Sequence, residues 1–137
     1  MVSGKSRILV VDDDIGIRAL VRRSLSREFD VDIVEAADGV TALERLSNAP
    51  VDLVILDLLM PSLNGLETLE AIRQSRTFAG VPVLVLSGSR GESHVRRSLE
   101  LAADDFVAKP FAPSLLVSRC RLLLERARNR KPGAARP

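Results

Sequence analysis

The sequence predicts an α/β protein of the (βα)5 type, with five parallel strands in one doubly wound sheet. Three observations predict it. Short β-branched or leucine-rich runs alternate with segments of helical spacing along the chain. The central runs are continuously apolar, which calls for helices on both faces of the sheet. The length of 137 residues suits a single domain.

The first strand is expected at residues 8–11, followed by a helix with the apolar stripe Ile17, Leu20, Val21 and Leu25. The second is expected at 31–35, with Val40, Leu43 and Leu46 as the next stripe. The third, at 51–56, precedes a stripe of Leu66, Leu69 and Ile72. The fourth, at 83–86, precedes Val95, Leu99 and Ala102. The fifth, at 106–108, precedes Leu116, Cys120, Leu123 and Ala127. Asn64 with Glu67, and Ser89 with Glu92, have the spacing of a capping box, and Pro113 suits a first helical position. No internal repeat or low-complexity block interrupts this order.

Composition narrows the function classes. The chain is 46% hydrophobic, with four Phe and no Trp or Tyr, so its core is aliphatic. It has no apolar run long enough for a membrane-spanning helix. The N-terminal MVSGKSR leads straight into the first strand without a signal-peptide core, so a cytoplasmic location is expected. The single Cys120 has no internal disulfide partner and suits a reducing compartment. The pI is about 9.2. The excess base comes from Arg128, Arg130, Lys131 and Arg136; without these four the 18 acidic residues exceed the remaining base by two. The expected organisation is therefore a tail at 1–6, a domain at 7–127 and a basic tail or linker at 128–137. That tail reads as a solvated terminus, and no direct nucleic-acid binding is expected of the domain.

In an open parallel sheet, ligands bind outside the carboxyl ends of the strands. Strand one ends on Asp12, Asp13 and Asp14, strand three on Asp57, and strand four on Ser87 with Gly88 and Ser89 beyond. Strand five leads to Lys109 and Pro110; strand two, ending on Glu35 and Ala36, offers less. Singly, each has a bland reading. Asp14 is better read as a helix N-cap, a lone Asp or Ser after a strand as turn chemistry, and a lysine before proline as a surface residue. Together they converge on one edge. Three carboxylates there resist joint ionisation, and a divalent cation relieves this. An all-oxygen set without His or Cys suits Mg²⁺. A carboxylate, a cation, a hydroxyl and an ammonium together suit phosphoryl transfer.

Four motifs then carry a resemblance: ILVVDDD, DLLMPSLNG, VPVLVLSG and AADDFVAKPF. In this order and spacing the chain resembles a response-regulator receiver domain of two-component signalling, from residue 7 to about 127. The resemblance implies a flavodoxin-like strand order, 2-1-3-4-5. It implies that Asp57 accepts a phosphoryl group from a partner histidine kinase or phosphotransfer protein. Asp13, Asp57 and the backbone carbonyl of Leu59 would hold Mg²⁺, with Asp12 assisting through water. Lys109 and Ser87 would each contact a phosphoryl oxygen. Phe106 would rotate into the space Ser87 leaves, and Lys109–Pro110 would be cis. The switch would alter the surface of the fourth helix, fifth strand and fifth helix, read by an output partner the sequence does not identify.

Some positions depart from the family pattern. Ser87 replaces the commoner Thr, Phe106 the commoner Tyr, and Ala102 a frequent Gly. Asp105 and Arg119 match one ion pair through which a receiver subfamily forms a homodimer; Leu115 stands where that subfamily carries Glu, and is read as a partly buried leucine. His94 reads as a surface residue and Cys120 as a core thiol. Arg96, Arg97, Arg119, Arg121 and Arg126 read as solvated. Two other functions stay open. A pseudo-receiver would bind partners without phosphorylation, although it usually lacks an acid, the hydroxyl or the lysine. A haloacid-dehalogenase-type phosphatase would use the Asp12-x-Asp14 spacing, although Gly16 fills its usual Thr/Val slot. The expected protein is a signalling module rather than an enzyme, with only Mg²⁺-dependent self-phosphorylation and self-dephosphorylation.

Overall fold

The computed structural model describes residues 5–58, 60, 64–88 and 101–129. They form β1 (Ser6–Val11), α1 (Ile15–Glu28), β2 (Val31–Ala36), α2 (Gly39–Asn48), β3 (Leu53–Asp57), α3 (Gly65–Gln74), β4 (Val83–Ser87), β5 (Asp105–Ala108) and α4 (Pro113–Asn129). The helix expected around Val95 and Leu99, with Ser89, Glu92, His94, Arg96 and Arg97, lies outside the described residues. The strands pair in parallel in the order β2-β1-β3-β4-β5, as the resemblance implied.

Alternate side chains of each strand enter opposite cores. Ile8, Val10, Ile55 and Leu84 pack with Val21 and Leu25 of α1 and with Leu116, Cys120 and Leu123 of α4. Leu9, Val11, Val54 and Val85 pack with Ala42 and Leu46 of α2 and with Leu69 and Ile72 of α3. The apolar strand runs thus follow from a sheet covered on both faces. Each fully buried Leu or Ile contributes about 2 kcal/mol. An exposed ion pair such as Arg7–Asp32, at 3.0 Å, is worth about 0–1 kcal/mol. Burial therefore holds the fold together, and ion pairs adjust its edges.

The helix starts follow local chemistry. Asp14 caps α1, its Oδ1 accepting from the N–H of Gly16 at 2.7 Å and of Ile17 at 3.3 Å. Asp38, unremarked in the sequence, caps α2 through the Thr41 N–H. Asn64 and Glu67 form the expected capping box of α3, and α4 begins on Pro113.

Four expectations are corrected. β3 starts at Leu53 rather than residue 51, because the Asp52 carboxylate accepts the Arg7 N–H at 2.7 Å, ahead of the first β1–β3 register pair, Ile8 with Leu53. Val40 is 55% exposed, and the buried stripe of α2 is Gly39, Ala42 and Leu46. Ala102 is not helical: it sits in a turn at φ 64°. Leu115 is exposed rather than partly buried.

Candidate functional site

Strand register assembles the site. Val11 pairs with Leu56, so the next residues, Asp12 and Asp57, meet at the carboxyl edge of the sheet. Ser87 pairs with Ala108, so Lys109 leaves β5 at the same edge. Chain order reverses between β1 and β3, the ordinary place for a ligand in a doubly wound sheet.

Asp12 is fully buried and Asp57 is 3% exposed, whereas Asp13 faces solvent. Carboxylate oxygens of all three lie within 4.8 Å of one another. The Lys109 ammonium donates to Asp12 Oδ2 at 2.8 Å and lies 3.4 Å from Asp57 Oδ1. Burial opposes the charge on Lys109, but the Asp12 hydrogen bond and the charges of Asp12 and Asp57 outweigh it and raise its pKa above the usual lysine value. The lysine is therefore protonated at neutral pH. Among the described residues, one ammonium beside three carboxylates leaves the cluster short of positive charge. An all-oxygen donor set with that deficit fits a hard divalent cation.

The backbone around the cluster is held on two sides. The Gly65 N–H donates to the Leu58 carbonyl at 3.0 Å. A Cβ on Gly65 would fall inside the backbone of Asp57 and Leu58, so only glycine lets α3 start this close to the end of β3. On the other side, Arg18 donates to the Asp12 carbonyl and, at 2.8 Å, to Glu35, which also pairs with Arg22. The Arg22 hydrogen bond, aided by Arg18, outweighs desolvation and lowers the Glu35 pKa. Sequence reasoning passed over Glu35 because its partners lie 17 and 13 residues away, beyond any local spacing rule.

The structure thus brings Asp12, Asp13, Asp57 and Lys109 together. Leu59 and the side chain of Ser87 lie outside the described residues. Phe106 is 41% exposed, and the Lys109–Pro110 peptide is cis. Asp14 is committed to its cap and turns away from the phosphatase-like Asp-x-Asp role. Arg119 pairs with Asp105 at 3.2 Å. Cys120 is buried, and desolvation with the nearby Asp105 charge pushes its thiol up to about 12, as befits a packed core thiol.

A family model described as the response regulator receiver domain matches residues 8–121. The chain belongs to this family. It is 44% identical to the alkaline phosphatase synthesis transcriptional regulatory protein SphR of Synechococcus elongatus, over 93% of this chain and 52% of that protein. It is also 44% identical to the response regulator MprA of a Mycobacterium species, over 88% of this chain and 51% of that protein. The chain thus spans about half the length of these relatives. Among solved structures, the chemotaxis response regulator CheY4 of Vibrio cholerae superposes with a TM-score of 0.81 at 28% identity, covering 88% of this chain and 99% of that one. The receiver domain of AraT from Geobacillus stearothermophilus gives 0.82 at 28% identity, covering 91% and 97%. Among the described residues, no helix is long and apolar enough to cross a membrane.

Proposed function

We propose that this receiver is switched by phosphorylation of Asp57, with the phosphoryl group coming from a histidine of a partner kinase or phosphotransfer protein. The observation that carries the reading is the buried Asp57 carboxylate at the end of β3, 3.4 Å from the Lys109 ammonium and beside Asp12 and Asp13. An Asp57 oxygen attacks phosphorus, the P–N bond of the donor phosphohistidine breaks, and the imidazole leaves and takes up a proton. Lys109 is already protonated and placed to donate to a phosphoryl oxygen. Burial of Asp12 and Asp57 keeps water from competing for the carboxylate.

Asp13 and Asp57, with the Leu59 carbonyl and Asp12 through water, would hold one Mg²⁺. When bound, Mg²⁺ supplies charge neutralisation for the transferring oxygens. Ser87 is assigned the second phosphoryl contact and Phe106 the coupled rotation. The surface that changes comprises the predicted helix around residues 95–99, β5 and α4, and an output partner or a second copy of the chain reads it there. The Asp105–Arg119 pair supports use of this face. In this reading residues 7–127 act as the switch, with 1–6 as a tail and 128–137 as a basic tail or linker, in the cytoplasm. Turnover is confined to self-phosphorylation and self-dephosphorylation.

Intact mass after incubation with Mg²⁺ and acetyl phosphate tests the proposal. A labile single-phosphate adduct on the wild type and none on Asp57→Ala is expected. Equal adducts on both proteins would overturn it. Turnover of a generic phosphatase substrate would instead favour the phosphatase reading.

A further inference from the structure

We propose that Arg18 is a positioning residue for cation binding. It fixes the turn that presents Asp13, and so raises the affinity of the cluster for Mg²⁺ against the opposing effect of its own charge. This role rests on the reading that Asp12, Asp13 and Asp57 share one divalent cation.

Asp13 is the exposed carboxylate of the three, and the residues on either side of it are pinned. Every polar atom of Asp12 is engaged. Its N–H donates to the Ala36 carbonyl at 3.1 Å, and its Oδ1 accepts the Asp14 N–H at 3.0 Å. Its Oδ2 accepts from Lys109 at 2.8 Å, and its carbonyl accepts from Arg18. Asp14 is tied down by its cap on the Gly16 and Ile17 N–H groups. Arg18 joins these two flanks. Its backbone N–H donates to the Asp14 carbonyl at 3.1 Å while its guanidinium donates to the Asp12 carbonyl. One residue thus grips the carbonyl before Asp13 and the carbonyl of the residue after it.

The guanidinium is itself held. Its Nε donates to Glu35 at 2.8 Å while Nη1 reaches Asp12, and the planar fork fixes both directions at once. The side chain is only 13% exposed, unlike a solvated arginine. Glu35 also accepts from Arg22 at 2.9 Å, so it keeps a cationic partner when Arg18 is replaced. Charge and position act on the cation in opposite directions. Deleting a positive charge near the cluster favours Mg²⁺ by Coulomb attraction. Loosening the turn takes Asp13 out of ligating geometry and disfavours it. Groups that orient metal ligands are worth about 10–100-fold in affinity. The charge of Arg18 is already paired with Glu35, so position outweighs it.

Calorimetric titration of the whole, unphosphorylated chain with Mg²⁺ tests this. Arg18→Met keeps an apolar stem and removes both the charge and the donors. Arg18→Lys keeps the charge and loses the fork. Both variants should bind Mg²⁺ roughly tenfold more weakly than wild type. Affinities are compared at a temperature where circular dichroism shows each protein folded, so a loss of stability alone does not move them. A pure charge effect predicts the opposite sign for Arg18→Met and no change for Arg18→Lys. Unchanged or tighter binding by Arg18→Met, or unchanged binding by Arg18→Lys, would overturn the proposal while leaving the shared-cation reading intact. A wild-type chain that takes up no Mg²⁺ would overturn that reading and the role of Arg18 with it. None of these readouts depends on phosphorylation of Asp57.

Discussion

Lys109 holds two buried carboxylates at once, 2.8 Å from Asp12 and 3.4 Å from Asp57. Removing it takes away the ammonium that both buried charges share, which costs far more than losing a surface pair. Lys109→Ala is expected to destabilise the Mg²⁺-free protein by about 3 kcal/mol. Urea titration with and without millimolar Mg²⁺ checks this. The deficit should shrink when the cation is present, and an unchanged deficit would argue against a shared cation site. Ala102 makes the opposite case. Its φ of 64° is left-handed, a conformation costing about 1–2 kcal/mol in a non-glycine residue. Glycine is free of that cost but loses more chain entropy on folding, about 0.5–1 kcal/mol. Strain exceeds entropy here, so Ala102→Gly should stabilise by about 0.5–1 kcal/mol, read as a raised urea midpoint at unchanged slope.

Between elements, Glu35 is the tie of most consequence. It links the end of β2 to Arg18 and Arg22 of α1, and Arg18 in turn holds the Asp12 carbonyl. Its pKa is lowered in the fold from an ordinary 4.5. The unfolded chain therefore binds the proton more tightly, and this contribution is fully present above pH 4.5. It is lost as pH falls through the lowered folded value. Glu35→Gln should be less stable than wild type at neutral pH, and the gap should narrow as pH falls below 4.5 and close below the lowered folded value. Urea midpoints across that pH range measure it. The elements themselves were legible in the sequence because period and capping are local. Asn64–Glu67, Pro113 and the alternation of apolar runs all act within a few residues. Val40 and Ala102 misled because both carry apolar side chains at helical spacing. Which of them faces the core depends on packing that periodicity alone does not contain. The Arg18–Glu35 link was invisible for the same reason.

At the scale of the molecule, the carboxylate cluster is a product of topology. Residues 12, 57 and 109 are far apart in the chain, yet parallel strands in the order β2-β1-β3-β4-β5 end at one edge. Polar residues at the ends of apolar runs therefore announced the site before any distance was known. The central claim is that this edge exists to phosphorylate Asp57. The most direct measurement is to treat the wild-type chain with Mg²⁺ and acetyl phosphate, reduce any acyl phosphate with borohydride, and map the product by peptide mass. Homoserine at position 57, absent without Mg²⁺, is the predicted result. Homoserine at position 13 instead, or an adduct on a residue outside the cluster, would contradict the account.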